Sequence, residues 1–274
     1  MSTRARVLVA VALSLLVTAG CGTDGQDGRP RSAPAPGASS TVSPQPPGGG
    51  TASPGGPGQP GRSPGAAPSR PPTGGKRYGP LGTTRLTGNR HVALTFDDGP
   101  HPLWTPKILD QLRAAGVKAT FCLVGVKARK YPALVARMVR EGHSLCNHSW
   151  SHDLKLGRKP VDQIRADLIR TNEAIRRAAP GVSIPYYRQP GGMWTPQVVA
   201  TVKQLGMVPL HWDVDPQDWE KPGATLIIKR VLGHARPGSI ILLHDGGGDR
   251  SGTTGACPRI LTSLKARYGI TRLG

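Results

Sequence analysis

"HVALTFDDGPH" occupies residues 91–101, and its reading decides the fold. A β-rich apolar run, Val92 to Phe96, stops abruptly at two adjacent carboxylates, Asp97 and Asp98, followed by Gly99, Pro100 and His101. Neighbouring residues of a regular strand point to opposite faces, and two adjacent anions repel. Asp-Gly-Pro is ordinary turn chemistry, so a loop of solvated charges accounts for the stretch taken alone. The rest of the chain has to say whether these acids do more.

Outward from this run, strand-like and helix-like stretches alternate. Further strands are expected at Thr120–Val124, His143–Cys146, Tyr186–Arg188, Met207–Trp212 and Ser239–Leu243. Helices are expected from Thr105, Pro132, Val161, Thr195 and Leu226, with a last one over Pro258–Tyr268. Val161–Ala178 shows the period directly, with apolar residues at 161, 164, 168 and 175 among charges. Repeated β-then-α units argue for a parallel sheet, either a barrel or a doubly wound sheet. Both gather active sites at the carboxyl ends of strands. Asp97-Asp98, Asn147-His148, Arg188-Gln189, Asp213 with Asp215, and His244-Asp245 all fall at such ends.

Not all of the 274 residues suit a core. Residues 1–20 read as a secretory signal: Arg4 and Arg6, the apolar run Val7–Val17, then Thr18-Ala19-Gly20. Cys21 follows at the place where a bacterial lipoprotein is lipidated, and simple secretion is the alternative. The stretch to residue 85 is rich in Gly, Pro and Ser and reads as a disordered tether. Residues 86–274 then form one domain. From Lys76 onward there are 30 Lys and Arg against 14 Asp and Glu, a net +16. Such a charge suits an acidic partner, with anionic cell-wall polymers favoured; no nucleic-acid motif is present. Setting Cys21 aside leaves Cys122, Cys146 and Cys257. Cys122 and Cys146 sit on consecutive strands of the expected sheet, so a disulfide between them is expected, with Cys257 free.

His148 and His152 are four apart, a spacing that sets two imidazoles on one face of a helical turn. With one carboxylate they make a three-ligand site with room for water, the layout of catalytic zinc. One of the two neighbouring acids can then bind metal while the other stays free as a base, because a divalent ion lets both remain ionised.

TFDDGP (95–100), HSWSH (148–152), RQPGG (188–192), DPQDW (215–219) and LLH (242–244) occur in this order. Together they resemble the polysaccharide deacetylases, the NodB-homology domain of carbohydrate esterase family 4, over roughly residues 88–270. The resemblance implies a distorted (β/α) barrel with one divalent metal, zinc first, with cobalt, nickel or manganese as other fits. It implies Asp98, His148 and His152 as metal ligands, Asp97 as general base and His244 as general acid. It further implies that Arg188 pairs with the base and that Asp215 orients His244. Gly191 would supply a backbone N–H to the oxyanion, at a position where many relatives carry an aromatic residue, and Trp219 and Leu242 would line an acetyl-methyl pocket. The substrate class implied is an acetylated glycan. Peptidoglycan N-acetylglucosamine suits an exported, tethered, basic and monomeric enzyme best, and chitin oligomers come next. Two rivals stay open: an O-acetyl esterase on xylan-like polymers, and a catalytically silent glycan-binding module. The latter is disfavoured by the presence of both Asp97 and His244. Asp213 and Asp245 are expected to be structural or solvated, and His143 structural.

Overall fold

The computed structural model describes residues 77–274. The leader, Cys21 and most of the tether lie outside the described residues. Among the described residues, seven strands and seven α-helices follow one another as β1 (Val92–Asp97), α1 (Trp104–Ala114), β2 (Thr120–Leu123), α2 (Gly125–Lys130), α3 (Pro132–Arg140), β3 (Ser144–Asn147), α4 (Val161–Ala178), β4 (Tyr186–Tyr187), α5 (Pro196–Gln204), β5 (Val208–Pro209), α6 (Ala224–His234), β6 (Ile240–His244), α7 (Ser251–Tyr268) and β7 (Ile270–Thr271). All strand pairs are parallel, in the order β5-β4-β3-β2-β1-β6, with β7 added at the start of β1. Between β5 and β6 the chain is irregular. Leu210 bridges to Thr84 and Val214 bridges to Ile241, so residues 210–214 carry the wall across the gap. The result is a distorted half-barrel of parallel strands wrapped by helices.

Strand parity sorts the two faces. Leu94 and Phe96, Phe121 and Leu123, Leu145, and Ile241 and Leu243 join the main core against the helices. The alternate residues Ala93, Cys122, Cys146 and Ile240 form a smaller cluster on the other face, with Leu210 and Leu273. Thr95, Asp97, Leu242 and His244 share that inner parity. Cys122 and Cys146 are register partners on β2 and β3; their sulfurs are bonded and their Cα atoms lie 4.1 Å apart. Cys257 is free and buried in α7.

Three local expectations need correction. The last helix begins at Ser251, not near Pro258, and Pro258 lies inside it. A proline there cannot donate to the carbonyl of Thr254, and that carbonyl instead accepts from Gln111 Nε2 of α1 at 3.0 Å. The Met207–Trp212 strand contracts to two residues because the chain leaves the ladder to close the wall. Residues 78–86, mostly assigned to the tether, pair with the domain through Thr84, Arg85 and Leu86. Asp213 explains this: it holds Arg85 at 2.9 Å and Arg236 at 2.7 Å, and accepts from Ser239 Oγ. No helix among the described residues is long and apolar enough to cross a membrane.

Candidate active site

The opening puzzle of two adjacent acids is resolved by the backbone. Asp97 ends β1 in extended conformation and points inward by parity. Asp98 then turns left-handed, with φ of +70°. That reversal swings its side chain to the same rim rather than to the opposite face. Gly247 permits it, since a Cβ there would stand 2.2 Å from Asp98 Oδ2.

Each acid has its own cationic surroundings. Arg188 is wholly buried and donates to Asp97 Oδ1 at 2.7 Å and to Thr95 Oγ1 at 2.8 Å. Its remaining N–H groups reach the carbonyls of His211 and Leu210. A guanidinium held by four hydrogen bonds is fixed, so it fixes the Asp97 carboxylate.

Asp98 faces the histidines. Its Oδ1 lies 3.2 Å from His152 Nε2 and 3.5 Å from His148 Nε2. This oxygen is buried and has no hydrogen-bond donor. His148 Nδ1 donates to the carbonyl of Arg188 at 2.8 Å, which leaves its Nε2 lone pair turned to the site. The three ligand atoms lie within 4.8 Å of one another. Donors held 2.0–2.1 Å from a tetrahedral ion stand about 3.3 Å apart, so these residues fit a divalent cation. Burial favours the neutral imidazole of His152, and the charge of His148 adds to this, so its pKa is lowered. Burial opposes ionisation of Asp98, but the closeness of His148, with the charges of His244 and His152, holds its pKa well below the usual carboxylate value.

The two histidines do not share a helical turn, which corrects the spacing argument. Residues 148–152 form a loop in which Ser149 and His152 both have positive φ. Asn147 Oδ1 accepts from Ser149 N–H at 2.9 Å, and Ser149 Oγ from His152 N–H at 3.1 Å. These local bonds replace a helical ladder and bring the ring centroids to 5.0 Å.

The partner of His244 also needs correction. Asp218, not Asp215, holds it. His244 Nδ1 donates to Asp218 Oδ1 at 2.7 Å, and its backbone N–H to Oδ2 at 2.9 Å. Thr253 Oγ1 adds a third donor at 2.7 Å. Burial disfavours the charged imidazolium, but the Asp218 hydrogen bond and charge outweigh it and raise the His244 pKa to about 9. Asp215 instead accepts the Gln217 N–H at 2.7 Å, closing an Asx turn. The DPQDW stretch has two acids three apart, and the resemblance points to the first. A left-handed Gln217 turns the chain, so that the second enters the core.

Asp97, Asp98, His148, His152, Gly191, Asp215, Trp219, Leu242 and His244 line one pocket of about 480 Å³. Asp97 and His244 are register partners on neighbouring strands. Trp219 is half exposed at the mouth and Leu242 is buried. Gly191 has φ of +60°, and Leu154 occupies the space beside it: a Cβ at Gly191 would be 2.9 Å from Leu154 Cδ2. Leu154, Trp212 and Arg250 also line the pocket. Composition and spacing gave no signal for them. Asp245 is fully buried, neither solvated nor at the pocket, and accepts from Thr105 Oγ1 at 2.5 Å.

Residues 84–210 match the model of the polysaccharide deacetylase family. A chitooligosaccharide deacetylase of Sinorhizobium fredii is 41% identical over 198 residues, covering 68% of this chain and 91% of that protein. A peptidoglycan-N-acetylglucosamine deacetylase of Bacillus cereus is 38% identical over 177 residues, covering 64% of this chain and 81% of the other. Among solved structures, a family 4 carbohydrate esterase pseudoenzyme from Bacillus anthracis is 28% identical and superposes with a TM-score of 0.63, over 68% of this chain and 64% of its own.

Proposed function

This chain belongs to the polysaccharide deacetylase family and is a hydrolase of that class, and we propose that it removes N-acetyl groups from an envelope glycan with the help of one divalent metal. The observation that carries the reading is the pairing across one pocket: Asp97 fixed by Arg188 on one side, His244 fixed by Asp218 on the other, and the Asp98-His148-His152 set between them. Kinship with a pseudoenzyme makes this pairing matter, because a fold alone does not entail turnover.

Asp98, His148 and His152 would hold a divalent ion, zinc by its fit to this donor set, which would supply Lewis acidity and lower the pKa of water toward neutrality. Asp97 takes the proton from the attacking water, with Arg188 orienting it. The Gly191 backbone N–H faces the oxyanion. His244, kept charged by Asp218, donates from Nε2 to the departing amine nitrogen, which leaves poorly as an anion. Trp219 and Leu242 receive the acetyl methyl group. Acid and base thus hold opposite protonation states at one pH because each has a partner of opposite charge.

The favoured substrate is peptidoglycan N-acetylglucosamine, with chitin oligomers next. The signal-like leader, Cys21 and the basic domain support an exported monomer anchored to the membrane by lipid. The test is incubation with N-acetylated glycans, measuring released acetate and free amine together. Acetate without new amines means O-acetyl hydrolysis instead, and neither product means the binding-module reading.

A further inference from the structure

The loop that carries His148 and His152 has a second face. Trp150, between them, packs away from the pocket. Its indole seats over Gly125 of α2, where a Cβ would come within 2.5 Å of the ring. Its backbone N–H donates to Asp167 of α4 at 2.8 Å. Two guanidiniums lie against this ring: Arg170, 3.7 Å from the centroid, and Arg129, at 5.0 Å. Neither pairs with a carboxylate among the described residues. The nearby acids are already engaged, Asp167 by Trp150 and Glu173 by Arg177 at 3.0 Å. The ring and both arginines line a groove of about 490 Å³. A second hollow of about 290 Å³ shares Trp150 and Arg170 with it and is edged by Asp167 and by Lys159, which pairs with Asp153 at 2.6 Å.

Stacking on an indole holds a guanidinium in place while leaving its N–H edge free for a planar pair of anionic oxygens. Two such groups on one ring repel each other unless an anion answers them. We propose that Arg129 and Arg170, held on Trp150, bind a phosphodiester-bearing envelope polymer whose chain lies along the two adjoining hollows. A linear polyanion meets both guanidiniums with successive phosphates, as one isolated anion does not, and it matches the sign of the +16 domain. Only the source of the ligand rests on the envelope location proposed above. The site would keep the domain against its substrate without occupying the pocket.

The test uses the full chain and a synthetic glycerol-phosphate decamer, with affinity measured by calorimetry at two salt concentrations. The Arg129→Gln/Arg170→Gln variant is compared with Arg140→Gln/Arg259→Gln, which removes the same charge from exposed positions elsewhere. Both variants should unfold at the wild-type temperature. We expect at least tenfold weaker binding and a shallower salt dependence for the first pair, and less than a twofold change for the second. Equal weakening by both pairs would mean diffuse charge and overturn the site. Binding to phosphatidylglycerol vesicles but not to the decamer would assign the surface to lipid and overturn the polymer. Acetate release by the wild type from a neutral oligosaccharide tests the enzymatic reading separately.

Discussion

Replacing Asp218 with Asn tests the acid half of the site most sharply. Asp218 receives three donors: His244 Nδ1–H and N–H, and the Thr253 hydroxyl. An amide has one acceptor oxygen, so it cannot serve them all. The His244 pKa stands at about 9 because the carboxylate overcomes the cost of burial. Without that charge, burial is opposed only by the more distant charges of Asp98 and Asp97, and the pKa falls toward the ordinary 6.5. The drop of about 2.5 units is worth roughly 3 kcal/mol of preference for the imidazolium. At pH 8 the protonated fraction goes from about 90% to about 3%, a loss of about 30-fold in acid before any misorientation is counted. Loss of a general acid altogether costs about 10²–10⁴. The assay is amine release from an N-acetylchitooligosaccharide between pH 6 and 10, with kcat and KM separated. The expected result for Asp218→Asn is a lower kcat, a nearly constant KM and an alkaline limb moved down by about two pH units. Asp215→Asn, which keeps an amide oxygen to accept the Gln217 N–H of the Asx turn, should stay within about fivefold of wild type. An unmoved alkaline limb in Asp218→Asn, with loss in Asp215→Asn, would refute this assignment.

Asp97→Asn should retain a metal equivalent by elemental analysis while losing about 10²–10⁴ of turnover, whereas His152→Ala should lose much of both. Chelation should abolish activity and added zinc or cobalt restore it; full turnover in a demonstrably metal-free sample counts against the metal. His143 is a stability probe. Burial, with the charge of Lys118, pushes its pKa down to about 4, and its Nδ1 accepts from Ala119 N–H. Below the unfolded value of 6.5 the unfolded chain gains a proton that the native state refuses. Stability present above pH 6.5 is therefore lost as pH falls toward 4, by up to roughly 3 kcal/mol. Urea midpoints at pH 7 and 5 should show the loss in wild type and less of it in His143→Asn. Cys21→Ser should release the protein into the medium with unchanged specific activity on soluble substrate; a wild type already wholly soluble with a free N-terminus excludes the anchor.

The parallel order and the rim of polar strand ends were legible because they depend on period alone. Ala93, Thr95 and Asp97 had to share one face if Leu94 and Phe96 shared the other. What escaped were features set by single backbone reversals. His148 and His152 have helical spacing, yet side-chain bonds from Asn147 and Ser149 build a left-handed loop instead. Asp215 and Asp218 differ only in which side of the Gln217 turn they occupy. The start of α7 was hidden by Pro258, whose missing donor is compensated by Gln111, 147 positions away.

The same principle accounts for the glycines around the paired acids. Two neighbouring carboxylates can serve one pocket only if the second reverses its backbone, and a reversed Asp98 needs space that no side chain may fill. Gly247 leaves that space beside Asp98 Oδ2. Gly99 leaves it beside Asp245, since a Cβ there would fall 2.4 Å from its carboxylate. Asp245 in turn donates its backbone N–H to the Asp97 carbonyl at 3.1 Å, tying the end of β6 to the end of β1. DDG and HDGGG are therefore two halves of one turn assembly. Gly247→Ala should damage Asp98 placement as severely as a change at Asp98 itself, because the added methyl and the carboxylate cannot occupy the same volume. Metal affinity reads this out directly. Gly248→Ala, also at positive φ (+148°) but with the nearest atoms 3.8 Å off, is the neighbouring comparison that separates backbone strain from the clash with Asp98. Equal metal affinity in the wild type and Gly247→Ala would show that Asp98 does not depend on this packing.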